Sequence, residues 1–182
     1  MSTNYKFHNQ EGLYFITFST VRWIDVFTRR IYKDIIVDSL NYCIANKGLE
    51  LFAWVIMSNH VHLIARTNDK PLSTIIRDIK RHTSKQLLKA IEENTQESRK
   101  DWLLYLFNRA GEYNPNNEYY QFWQQDNHPI ELWTNDVMDQ KLNYIHDNPV
   151  TAGWLDLPEH YLYSSARSYA GEQGLINISL LV

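Results

Sequence analysis

The sequence predicts an α+β fold: a ferredoxin-like antiparallel sheet with helices packed on one side and an additional C-terminal helix that bears a tyrosine. Three observations predict it. Short β-branched and aromatic runs alternate with two long helical patterns in the order β-α-β-β-α-β. A helical pattern near the C-terminus follows that series. No internal repeat, low-complexity tract or linker rich in Gly, Ser or Pro interrupts it, so one compact unit over residues 1–182 is expected. In such a sandwich the first and third strands lie side by side at the centre.

Gly12 to Thr20 is aromatic and β-branched, the first strand. Val21 to Phe27 reads as loop. Thr28 is placed to cap a helix from Arg29 to about Asn46, with Ile31, Ile35, Ile36, Leu40, Cys43 and Ile44 as its apolar stripe. Lys47-Gly48 closes it with a cation followed by glycine. Leu49 to Met57 and His60 to Arg66 are the second and third strands, joined by a tight hairpin turn at Ser58-Asn59. Pro71-Leu72-Ser73 opens a long helix to about Glu93, with Leu72, Ile75, Ile76, Ile79, Leu87, Leu88 and Ile91 on its core face. Asp101 to Ala110 reads as a short or partly irregular helix and Gly111 to Glu118 as loop. Tyr119 to Gln125 is expected as the fourth strand. Thr134 caps a helix through Met138, Leu142 and Ile145 to Asn148, where Pro149 is expected to stop it. Ser164 to Ala170 forms a last turn or short helix.

Composition narrows the function classes. No apolar stretch approaches the roughly 18 residues of a membrane span, and Met1 to Lys6 is polar, without the apolar core of a signal peptide. Cys43 is the only cysteine, so an internal disulfide is excluded and the cytoplasm is the expected compartment. The net charge of −3 argues weakly against nucleic acid. Its distribution says more. Residues 1–110 hold 16 Lys+Arg and 11 Asp+Glu, whereas residues 111–182 hold 2 and 10. A polyanion is therefore expected on the first part of the chain. There, Arg77, Arg81 and Lys85 stack at helical spacing, with Lys80 beside them, as a basic ridge or an ordinary solvated face.

Two places carry residue types suited to chemistry. His60 and His62 alternate with Val61 and Leu63, so both imidazoles share one face of a strand, just after a turn. That is half of a metal site, or two polar residues on a solvated face; a divalent metal needs further ligands from elsewhere. Tyr144 and Asn148 are four apart on one helix face, with Lys141 beside them. The plain alternatives are a core tyrosine and a helix-terminating asparagine before proline.

Met57-Ser58-Asn59-His60-Val61-His62-Leu63 resembles the His-hydrophobic-His motif of the single-tyrosine (HUH) transposases, the IS200-like family. The segment Tyr144-Ile145-His146-Asp147-Asn148-Pro149-Val150-Thr151-Ala152-Gly153 resembles their tyrosine helix in the form seen in REP-associated tyrosine transposases. Leu72-Ser73 through Lys80 with Thr83-Ser84, Phe122-Trp123-Gln124-Gln125, and Tyr163-Ser164-Ser165-Ala166 are similar to further segments of that family. The matches keep family order from about Tyr14 to Tyr169.

The resemblance implies a bacterial enzyme that cuts and rejoins single-stranded or hairpin DNA, acting as monomer or homodimer. It implies His60, His62 and Asn148 as ligands of Mg²⁺ or Mn²⁺ and Tyr144 as the nucleophile, forming a 5′-phosphotyrosine. DNA is then expected along Arg77, Lys80, Arg81 and Lys85, with bases stacking on Tyr120, Trp123 or Trp133. Lys141 and His128 are auxiliary candidates, and His146 a weak candidate for a base. The rival readings are a domesticated hairpin-binding protein that does not cut, a zinc hydrolase with one more carboxylate or histidine ligand, and a plain interaction module.

Overall fold

A computed structural model describes residues 7, 9–113 and 119–181. The polar N-terminus read over 1–6 and most of the loop read over 111–118 lie outside the described residues. The elements run β1 (Tyr14–Ser19), a 3-10 turn (Val21–Trp23), α1 (Arg30–Lys47), β2 (Leu49–Ile56), β3 (His60–Thr67), α2 (Leu72–Glu93), α3 (Lys100–Glu112), β4 (Ile130–Glu131), α4 (Asn135–Thr151), a second 3-10 turn (Pro158–His160) and α5 (Ala166–Tyr169).

The sheet is antiparallel with order β2-β3-β1-β4, so β1 and β3 are the central pair, as the element order predicts. Their register sets Phe15 opposite Ile64, Thr17 opposite His62 and Ser19 opposite His60. Strand alternation divides the side chains between two cores. Tyr14, Ile16, Phe18, Val61, Leu63 and Ala65 face the larger core with α1, α2 and α3. Phe15 and Ile64 face a smaller one closed by Ile145 of α4 and Leu132. A shift in the β2–β3 register between Leu51 and Ala53 lets β2 serve both: Leu51 and Trp54 point into the first core, Phe52 and Ala53 into the second. The burial of these two apolar sets against helices is the main force holding the layers together. No helix among the described residues is long and apolar enough to cross a membrane.

Several local signals act as their chemistry predicts. Gly48 takes φ 70 at the end of α1, a left-handed conformation that favours glycine, and its N–H returns to the Cys43 carbonyl. The Thr134 hydroxyl accepts from the Val137 N–H and caps α4. The Ser58-Asn59 turn is closed by the Met57 N–H on the His60 carbonyl at 2.8 Å.

Other expectations are corrected. Thr28 does not cap α1; its hydroxyl accepts from Arg99, and the helix begins at Arg30. The buried stripe of α1 is rotated, leaving Ile31 exposed and burying Tyr32, whose hydroxyl reaches the Glu97 carboxylate at 3.2 Å. Residues Tyr119 to Gln125 do not form the fourth strand. Phe122 and Trp123 are both buried, which breaks the required alternation. The segment instead crosses the end of β1 as a strap, bonded from the Val21 N–H to the Phe122 carbonyl and from the Gln124 N–H to the Ser19 carbonyl. The short β4 takes the sheet edge. Pro149 does not stop α4, which continues to Thr151 and breaks at Gly153 with φ 74.

Candidate active site

The site lies on the sheet face turned toward α4. His60 and His62 do share that face, with ring centroids 4.6 Å apart. Tyr144 is brought to them by α4: its ring meets His62 edge-on at 5.2 Å and Phe15 at 6.0 Å, and it remains about half exposed. Lys141, one turn earlier, sets its ammonium 4.9 Å from the Phe15 ring centre and 5.7 Å from that of Tyr144. Both are cation–π distances. Asn148 is one turn beyond Tyr144 on the same helix face and half-buried.

Each imidazole is oriented by a neighbour. Asn59 donates through its amide nitrogen to the Trp23 carbonyl at 3.2 Å and to Asp25 at 3.0 Å. Its amide oxygen is thereby turned to His60 Nδ1, at 2.7 Å. An amide oxygen only accepts, so His60 Nδ1 carries the proton and Nε2 keeps its lone pair. His62 Nδ1 pairs with the Thr17 hydroxyl at 2.7 Å. His62 Nε2 is buried with no hydrogen-bond partner. Such an orphan is costly in a buried position unless something fills its place.

Burial pushes the His60 pKa down to about 4. Burial, then the nearby His60 and Lys141 charges, push His62 to about 3. Both rings are neutral at pH 7, the state in which imidazole binds metal. The His60 Nε2 lone pair and the unpaired, buried His62 Nε2 fit a divalent metal ion when the Thr17 hydroxyl accepts from His62 Nδ1–H. Among the described residues, no group of three or more His, Cys, Asp and Glu joins them. The further carboxylate or histidine that a zinc hydrolase would need is therefore not found there.

The remaining predicted residues are placed differently. Arg77, Arg81 and Lys85 are exposed on α2, which covers the opposite face of the sheet from His60 and His62. Arg77 and Arg81 lie 3.6 and 3.8 Å from Asp78. Lys80 does not belong to this ridge. It turns inward and donates to the Gln124 carbonyl at 2.6 Å, the Gln125 carbonyl at 3.3 Å and the Asn127 side-chain oxygen at 2.7 Å. Burial lowers its pKa to about 8. Trp123 is a core residue whose indole N–H reaches Thr83, so it offers no stacking surface, whereas Tyr120 and Trp133 are exposed. His128 is exposed at φ 40 in the segment whose Asn127 carbonyl accepts from the Thr17 N–H, near the sheet edge. His146 is about 200° around the helix from Tyr144 and buried. Its Nε2 meets the Ser165 hydroxyl at 2.9 Å, which docks α4 on the β2 backbone through Trp54.

Sequence reasoning missed Asn59, Thr17 and Trp23. Asn59 was legible only as a turn residue. Thr17 was legible only by counting the register across from His62.

No curated protein matches the chain. A solved structure described as a REP-associated tyrosine transposase bound to a REP hairpin covers all of this chain and 94% of its own, with TM-score 0.65 and 18% identity, a likeness of fold. The model of the family described as "Transposase IS200 like" matches residues 11–109, which carry the strand pair and both histidines. With more than half of its length under that model, the chain belongs to the IS200-like transposase family.

Proposed function

We propose that the protein cuts and rejoins single-stranded DNA through a covalent 5′-phosphotyrosine at Tyr144, with a DNA hairpin as its partner. One observation carries this reading: an accessible tyrosine is seated against an imidazole whose Nε2 is buried and unpaired. The hairpin is suggested by the structural neighbour, which is bound to one.

His60, His62 and Asn148 would hold Mg²⁺ or Mn²⁺. Of these donors the amide oxygen is the one such a hard ion prefers and the two imidazoles are softer; three protein ligands would leave positions open for phosphate oxygens. The direction of α4 supports Asn148: Lys141 lies over Phe15 and Tyr144 against His62, so the next turn proceeds toward His60. When bound, the ion draws electron density from the scissile phosphate and offsets its developing charge.

The chain supplies the rest. Asn59 and Thr17 fix the two rings, so the Nε2 positions are set before DNA arrives. Lys141 brings a positive charge beside the Tyr144 ring, where an incoming phosphate would sit. Tyr144 Oη attacks phosphorus; the Oη–P bond forms and the P–O3′ bond breaks. The phenolic proton passes to solvent and the leaving O3′ acquires one. The phosphodiester energy is retained in the tyrosyl ester, so a 3′-hydroxyl can reverse the step without a nucleotide cofactor.

The test is incubation with labelled single-stranded DNA from around the protein's own gene, with and without Mn²⁺. A denaturation-resistant adduct that requires the metal supports the reading. DNA binding without adduct under both conditions would replace it with the non-cleaving hairpin binder.

A further inference from the structure

Trp23 stands on the far side of the histidine pair from Tyr144. Ring centroids run from Trp23 to His60 at 5.8 Å, His60 to His62 at 4.6 Å and His62 to Tyr144 at 5.2 Å. The indole is 55% exposed, although a tryptophan ordinarily contributes its large apolar area to a core or an interface.

Its backbone is unusual as well. Arg22 and Trp23 both take φ 55, the left-handed region that side-chain-bearing residues rarely occupy, and here two do so in succession. The turn is held from several directions. The Trp23 N–H donates to the Thr20 carbonyl at 3.1 Å and the Ile24 N–H to the Val21 carbonyl at 3.3 Å. The Thr20 hydroxyl donates to the Ile24 carbonyl at 2.8 Å. Asn59, which orients His60, also donates to the Trp23 carbonyl. Backbone strain persists where surrounding bonds over-determine it, and such places cluster at functional sites. The fold thus holds an aromatic face in solvent beside His60, next to an exposed arginine.

We propose that Trp23 is a stacking subsite for the nucleobase on the 5′ side of the scissile phosphate, with Arg22 on the adjoining backbone phosphate. The inference rests on Tyr144 being the attacking group. In an in-line displacement the leaving O3′ departs opposite the attacking oxygen. Tyr144 lies on one side of the histidines and Trp23 on the other, so the nucleotide that carries O3′ is directed to the indole. Stacking suits this role because every base has a π face. After cleavage the same contact retains the 3′-hydroxyl strand for rejoining.

The experiment first maps the cleaved phosphate from the adduct of the unaltered protein. Adduct rates are then compared in Trp23→Ala, in Trp23→Phe, and in Trp102→Ala, an exposed tryptophan on α3 that serves as control. Trp23→Ala is expected to slow the adduct roughly tenfold, in line with the loss of one base stack. Trp23→Phe, which keeps an aromatic face, should stay within about threefold, and Trp102→Ala should match the unaltered protein. An abasic nucleotide 5′ of the mapped phosphate should slow the unaltered protein to the same degree and have no further effect in Trp23→Ala. One placed 3′ should affect both proteins alike. Unchanged rates in Trp23→Ala, or an undiminished 5′ abasic penalty in that variant, overturn the subsite while leaving Tyr144 in place. Absence of any adduct in the unaltered protein instead overturns the assignment of Tyr144. The 5′ placement falls with it, and fluorescence anisotropy with a labelled oligothymidylate then tests base stacking at the indole by itself: weaker binding to Trp23→Ala supports stacking, and equal binding overturns it.

Discussion

The Asn59 side-chain oxygen lies 2.7 Å from His60 Nδ1. Because the amide nitrogen is committed to the Trp23 carbonyl and Asp25, this contact fixes the proton on Nδ1 and leaves the Nε2 lone pair for the proposed metal. Asn59→Ala should therefore lower Mn²⁺ affinity by about 10- to 100-fold without removing a ligand. His62→Ala should lower it further, and Asn148→Ala less, since an amide oxygen is the weaker ligand. Isothermal titration of the three variants checks the order. An Asn59→Ala protein that binds Mn²⁺ as tightly as the original would contradict the orienting role.

The exposed cations of α2 predict a salt effect. Neutralising two of Arg77, Arg81 and Lys85 should weaken DNA binding across sequences and flatten the dependence of log K on log salt by roughly one unit per lost phosphate contact. They lie across the sheet from the histidines, so the cleavage step on bound DNA should be little changed. Anisotropy over a salt series provides the measurement. An unchanged slope would make this an ordinary solvated face.

Lys80 predicts the opposite pattern. Its ammonium is bonded to three oxygens of the strap at Gln124, Gln125 and Asn127. Lys80→Met should cost about 1–3 kcal/mol of stability, read from urea midpoints, by leaving carbonyl groups unpaired. The salt slope of DNA binding should stay the same. A stable variant with a flattened slope would return Lys80 to the DNA-contacting set.

How far the sequence was legible follows from the range of the interactions. Alternation at His60 and His62, the glycine at Gly48 and the Thr134 cap are local devices, and each appears where the residues predict it. Helical spacing does not show the surroundings of Lys80 and Trp123, because their partners, at Gln124 and at Thr83, are 44 and 40 residues away. Helical periodicity shows which residues share a face but not what covers it. Tyr119 to Gln125 has strand composition, yet consecutive burial of Phe122 and Trp123 defeats the alternation that a half-buried strand requires. The orienting contacts to the histidines were invisible for a similar reason: Thr17 acts across a register, and only a settled sheet supplies it.

Glu97 provides a pH test of the fold. Its carboxylate is buried between Arg29 and Arg99 at 2.8 and 3.1 Å, with Tyr32 nearby. Burial pushes the carboxyl up, but donation from Arg99 and Arg29 outweighs it and holds the pKa at about 2, below the ordinary 4.5. A depressed carboxyl pKa contributes stability above its unfolded value, and that stability is lost as pH falls from about 4.5 toward 2. Glu97→Gln should therefore be less stable than the original protein by a few kcal/mol at pH 7. The gap should narrow steadily below pH 4.5. Urea midpoints across pH 2.5–7 measure it, and a gap independent of pH would contradict the ion-pair account.

The most direct measurement is adduct formation by Tyr144→Phe. This change removes one hydroxyl from a ring packed on His62 and Phe15, so fold, Mn²⁺ binding and DNA binding should persist. Labelled single-stranded DNA with Mn²⁺ should yield a covalent protein–DNA species with the original protein and none with Tyr144→Phe, whereas Tyr120→Phe should still yield it. An adduct that survives in Tyr144→Phe, or one lost in Tyr120→Phe with Tyr144 intact, would contradict Tyr144 as the nucleophile.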